Sequence, residues 1–143
     1  MTGRRPLSAA DYPLAEKRPD LVRTRRQKPL EAITLEAIES GEAVLEDIRI
    51  SPAALLLQAE IAAAAGRPMI ARNFERAADI VDVPQDFILQ TYELLRPGRA
   101  KSKAEMLAQA GILRETYKAE RMAAFIEEAA DVYERRGLFT YRF

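Results

Sequence analysis

The eight prolines of this chain set the limits on what it can fold into. Proline lacks a backbone N–H and fixes φ, so a helix tolerates it in the first turn and not in the interior. Pro6, Pro13, Pro19 and Pro29 fall where no period of 2 or 3.6 is sustained, and they favour extended or turn conformations. Between them lie Leu7, Tyr12, Leu14, Leu21, Val22 and Leu30. Residues 1–33 therefore read as an extended, mostly irregular N-terminal arm. It is either laid along another surface through these apolar anchors or left as a solvated tail. Pro52, Pro68, Pro84 and Pro97 stand instead at the edges of segments with helical spacing, and no proline follows.

Those segments predict an all-α domain over residues 34–137. Thr34 is a good N-cap for a short helix ending before Gly41. An acidic turn, Glu42–Asp47, leads to Ile48-Arg49-Ile50, read as extended. Ser51-Pro52 is a strong helix start, and Pro52 to Ala65 is apolar around most of its circumference, with Gly66 as the stop. Residues 71–97 read as two short helices joined at Val83-Pro84. In the first, Ile70, Phe74, Ala77, Ala78 and Val81 make one stripe, with ion pairs expected from Arg72 to Glu75 and from Arg76 to Asp79. In the second, Ile88, Leu89, Tyr92 and Leu95 form one face, and Phe87 and Leu94 sit opposite. Ser102 and Glu105 form an S-x-x-E capping box. From there a wide stripe of Ile112, Thr116, Ala119, Ala123, Ile126, Ala130 and Tyr133 predicts one long C-terminal helix to about Arg136, with Gly111 as a kink. The expected architecture is a small open helical bundle, closed by an aromatic tail over residues 138–143.

Absences narrow the chemistry. The chain has no histidine and no cysteine, which removes imidazole acid–base groups, thiolate nucleophiles and zinc or soft-metal sites. No uninterrupted apolar run reaches the ~18 residues of a membrane span. Formal charge balances overall, yet residues 1–30 hold eight basic side chains against three acidic ones. That basic arm could bind phosphates, but it has neither aromatic interleaving nor a helix-turn-helix signature, so nucleic-acid binding is not expected. Glu127, Glu128 and Asp131 could hold a metal or act as an acid–base pair; with no Glu-x-x-His anywhere, a solvated helix face balanced by Arg135 is the simpler reading. Arg72, Asn73, Glu75 and Arg76 could form a polar recognition face or merely local ion pairs.

Several blocks, taken together, carry a resemblance. They are Asp11-Tyr12-Pro13-Leu14, Thr34-Leu35-Glu36, Asp47-Ile48-Arg49-Ile50-Ser51 and Gln58-Ala59. The most distinctive is Ala71-Arg72-Asn73-Phe74-Glu75-Arg76-Ala77-Ala78, followed by Ile88-Leu89 through Tyr92 to Leu95-Arg96-Pro97 and Ala123-Ala124-Phe125 through Tyr133. Over positions 11–136 the chain resembles the small (gamma) subunit of coenzyme B12-dependent glycerol and propanediol dehydratases. The resemblance implies a dimer of heterotrimers with a large catalytic and a medium subunit, which hold adenosylcobalamin between them. Such complexes convert 1,2-diols or glycerol to aldehydes by a radical route, and the small chain docks on the large one without supplying catalytic residues or cofactor ligands.

On this basis the expected interface residues are Tyr12, Leu14, Arg72, Asn73, Phe74, Arg76, Tyr92, Arg96, Phe125 and Tyr133. No catalytic, cofactor-binding or metal-binding residue is expected in this chain. A cytoplasmic complex is expected; some homologues carry a longer N-terminal extension associated with microcompartments, and the short lead before Asp11 gives encapsulation no support. The aromatic tail departs from the more polar endings of the family. The alternatives are a free-standing helical adaptor, a regulator binding nucleic acid through the basic arm, and a self-sufficient carboxylate enzyme.

Overall fold

A computed structural model describes residues 3–139. It is all-α. Its helices are α1 (Leu14–Lys17), α2 (Leu35–Glu39), α3 (Leu45–Ile48), α4 (Pro52–Ala64), α5 (Pro68–Ile80), α6 (Gln85–Leu95), α7 (Lys103–Glu115) and α8 (Glu120–Arg135). The described residues form no strand beyond one isolated bridge between Arg23 and Pro29. No helix among them is long and apolar enough to cross a membrane. The chain divides into two compact units between Ala78 and Asp79, within the last turn of α5.

In the first unit the arm is a series of single turns. Short 3-10 turns at Ala9–Asp11, Pro19–Leu21 and Leu30–Ala32 alternate with α1, as four closely spaced prolines require. Leu7 and Leu14 bury themselves against Ile61 of α4, with Leu21, Val22 and Leu57 around them. The other side of α4 offers Ala59 and Ala62 to Ala71 and Phe74 of α5. A helix apolar all round is thus covered on two sides, as its composition demanded. Ser51 caps it by accepting the Ala54 N–H at 3.1 Å. Gly66 (φ +73°) closes it, its own N–H bonded to Ala63 O and the Arg67 N–H to Ala62 O, a left-handed cap that favours glycine.

Two expectations for this unit need correction. Residues 45–48 are helical rather than part of an acidic turn running into an extended segment. The Asp47 carboxylate accepts the Val44 N–H at 3.1 Å and so caps α3 from within its first turn. The inward stripe of α5 is Ala71 and Ala78, with Phe74 partly buried beside them, which leaves Ile70 exposed.

In the second unit α7 and α8 form an antiparallel hairpin, and α6 lies against its core. Met106, Leu113 and Ile126 are its largest fully buried side chains, set among Ala110, Ala119, Ala123 and Ala130. The single long helix expected to Arg136 is in fact two, broken at Thr116–Ala119. Lys118 takes φ +58°, its Nζ donates to Glu115 O at 2.7 Å, and the Ala119 N–H returns to Leu113 O at 2.9 Å. Gly111 introduces no break in α7. Half of the expected capping box forms: Ser102 Oγ accepts the Glu105 N–H, whereas the Glu105 carboxylate accepts from Lys101 N. On α6 the core face is Phe87, Ile88, Thr91, Leu94 and Leu95, one broad stripe rather than two opposed faces, while Leu89 and Tyr92 stand in solvent.

Candidate interaction surface

Three carboxylates hold the arm in place. Glu60 of α4 accepts from Arg4 at 2.5 Å and from the Leu7 N–H at 2.6 Å. Asp11 accepts from Arg5 at 2.7 Å and from the Ser8 N–H at 2.8 Å, with Arg18 also near. The Arg5 guanidinium, helped by Ser8, brings the Asp11 carboxyl down to about 2. Asp47 accepts from the Thr24 hydroxyl at 3.0 Å and Arg26 at 2.9 Å. Burial pushes its carboxyl up; the Val44 N–H, Thr24 and Arg26 together more than offset this and hold it below the ordinary carboxylate range. Arg18 and Arg25 are taken up by Asp20 and Glu46. Five of the eight basic side chains in residues 1–30 are thus bonded to acids of their own unit.

The acidic cluster on α8 is likewise occupied. Arg114 reaches both Glu120 and Glu127, and Lys103 lies 2.8 Å from Asp131 and from Glu134. Hydrogen bonding to Arg114 holds the Glu127 carboxyl below its usual range, and bonding to Lys103 does the same for Asp131. These partners stand ahead of the expected Arg135, whose charge adds to the lowering at Asp131. Among the described residues, no group of three or more carboxylates is placed to hold a metal ion. Asp79, read as the partner of Arg76, accepts the Arg121 N–H at 2.8 Å and the Arg121 side chain, at the positive end of α8.

The expected interface residues are dispersed. Tyr12 (65% exposed) and Tyr92 (60%) stand out in solvent. Tyr12 borders a groove of about 460 Å³ formed with Gln58, Ile61, Arg67, Ile70 and Phe74. Arg72 and Asn73 are exposed on α5, and Asn73 Oδ1 accepts from Arg76. Arg96 pairs with Glu93 at 3.0 Å, and Phe125 is partly exposed. Leu14 and Tyr133 are turned inward. Leu14 belongs to the core beside α4, and Tyr133 donates its hydroxyl to Leu95 O and meets the Phe139 ring at 6.2 Å. Of the aromatic tail, Phe139 packs on the second unit's core; Tyr141 and Phe143 lie outside the described residues. The reading from sequence passed over Leu35, Leu45, Ile48 and Ile50, each more than half exposed.

The described residues form an all-α fold with several aliphatic side chains standing in solvent. Comparison with known proteins gives the family. Residues 7–140 match the model of the dehydratase small subunit, and the chain belongs to that family. It is 47% identical over 132 residues to the propanediol dehydratase small subunit of Salmonella typhimurium (strain LT2), covering 92% of this chain and 76% of that one. It is 48% identical over 126 residues to the propanediol dehydratase small subunit of Citrobacter freundii, covering 88% and 73%.

Proposed function

We propose that this chain is the non-catalytic small subunit of a propanediol or glycerol dehydratase. It docks on a large catalytic subunit in a dimer of heterotrimers that also contains a medium subunit. The complex removes one water from a vicinal diol and leaves an aldehyde. Near-50% identity to two propanediol dehydratase small subunits along most of the chain carries this reading.

Adenosylcobalamin, which supplies radical chemistry when bound, belongs in this reading to the large and medium chains. The residues here do not fit it: there is no histidine to ligate cobalt, and the concavities are open grooves such as the one beside Tyr12. What this chain contributes is surface. Tyr12, Arg72, Tyr92 and Phe125 present exposed side chains to a partner. The cytoplasm is the expected compartment.

The test is purification of the tagged full-length chain from its native host, with native mass determination of what accompanies it. Two larger chains in equal amounts, with adenosylcobalamin-dependent dehydration of propane-1,2-diol or glycerol, are the expected result. A well-folded chain that brings no such partners would overturn the proposal. Turnover of the two diols by the recovered complex then gives the substrate preference.

A further inference from the structure

The sequence from Glu31 to Ile48 contains six carboxylates and no cation. Folded, it becomes two short helices that expose aliphatic side chains. Leu35 is 73% exposed and Ile38 43%, three residues apart on α2; Leu45 is 67% exposed and Ile48 57%, three residues apart on α3. Ile50 follows at 54%. Three residues is nearly one helical turn, so each helix turns one aliphatic edge outward while Ala37 and Asp47 face in. The Ala43 N–H bonds to Ala37 O at 2.8 Å, which ties the end of α2 to the link before α3. Scattered single hydrophobes on a surface need no explanation; a run of large aliphatic ones within so short a length marks a contact.

The charge around this edge identifies what it would meet. Glu36, Glu39 and Glu42 are exposed. Neighbouring cations are bonded to other groups than these carboxylates: Arg25 and Arg49 pair with Glu46, Arg26 pairs with Asp47, and Lys28 donates to the Glu42 backbone carbonyl. No ion pair among the described residues involves the Glu36, Glu39 or Glu42 carboxylates. A second copy of this chain set against the same edge would bring glutamate to glutamate. An apolar centre with an acidic rim calls for an apolar surface rimmed by lysine or arginine on a different chain.

We infer that the α2–α3 edge, Leu35, Ile38, Leu45 and Ile48 within a rim of Glu36, Glu39 and Glu42, seats this chain on a basic-rimmed apolar surface of the large dehydratase subunit. This rests on the function proposed above. It places the principal contact on residues other than Tyr12 and Arg72, and it makes the rim a source of attraction weakened by salt.

The test uses the full-length tagged chain co-expressed with the large and medium subunits. Leu35→Asp/Leu45→Asp should lower recovery of the large subunit at least ten-fold. Because both side chains already face solvent, the thermal midpoint of the purified chain should stay unchanged. Glu36→Lys/Glu39→Lys, which touches no packed residue, should weaken capture at low salt and converge on wild type as salt rises. This second variant decides the matter should the first lower the thermal midpoint. Capture equal to wild type by both variants would overturn the inference and leave the subunit assignment standing. So would a wild-type chain that self-associates through Leu35 and Leu45. If the wild-type chain itself captures neither subunit, the functional proposal falls, and this inference with it.

Discussion

Replacing Ile126 by alanine should destabilise the second unit by about 4 kcal/mol. The side chain is 1% exposed in a cluster whose other buried members include Ala110, Ala119, Ala123 and Ala130. Three carbons are removed, and at ~0.8 kcal/mol each the lost transfer free energy is roughly 2.4 kcal/mol. Alanines have no rotamers with which to refill the space, so a hole on the order of 70 Å³ would persist and add about 1.7 kcal/mol at ~24 cal/mol per Å³. Ile126→Val, which removes one carbon, should cost about 1 kcal/mol. Urea unfolding of the full-length chain, followed by far-UV circular dichroism, would move its midpoint by about 2 M for the alanine variant at a typical slope of ~2 kcal/mol/M. A loss below about 2 kcal/mol would refute the reasoning, since it would mean that α7 and α8 close over the gap.

Two further outcomes follow from the same framework. Asp11 titrates near 2 when folded against 3.8 ordinarily, so its carboxylate stabilises the folded arm above the unfolded value, and that stability is lost as pH falls from about 4 through 2. The gap in thermal midpoint between wild type and Asp11→Asn should therefore be full at pH 6 and closed near pH 2; a gap unchanged over that range would exclude the Arg5 and Ser8 contacts as its source. Lys118 holds a left-handed backbone that costs a non-glycine residue ~1–2 kcal/mol, so Lys118→Gly should raise stability by about 0.5–1 kcal/mol, net of its lost bond to Glu115 O. A fall in the urea midpoint would show that the Lys118 contact, not the backbone, governs the turn.

Much of the fold was legible because its signals are local. Ser51-Pro52, Thr34 and the Val83-Pro84 joint announce helix ends through groups lying within three or four residues of one another. The α7–α8 turn gave no such sign. Its apolar steps from Ile112 to Tyr133 continue through it, and no proline or glycine stands at Thr116–Ala119. Closure of the hairpin on buried Ala119, paid for in backbone strain at Lys118, is settled by contacts far along the chain. The helix α3 escaped notice because its cap, Asp47, sits inside the first turn instead of ahead of it. The candidate surface was harder still. A helix of four or five residues is too short for periodicity to show which side is covered, so the exposure of Leu35 and Leu45 could not be read. Leu14 lies two residues from solvent-exposed Tyr12 in the same block and is core, a difference set by contact with α4 far along the chain.

The bonds that hold the arm also impose an order on synthesis. Arg4 is made 56 residues before Glu60, its partner on α4, and Arg26 is made 21 residues before Asp47. During that interval Arg4 and Arg26 lack the carboxylates they bond in the folded unit. The α7–α8 hairpin has no such wait. Arg114 meets Glu127 only 13 residues on, across a four-residue link, so these helices can close as soon as both exist. The arm thus waits on α3 and α4, whose Asp47 and Glu60 fix a charged, proline-broken segment in folded structure.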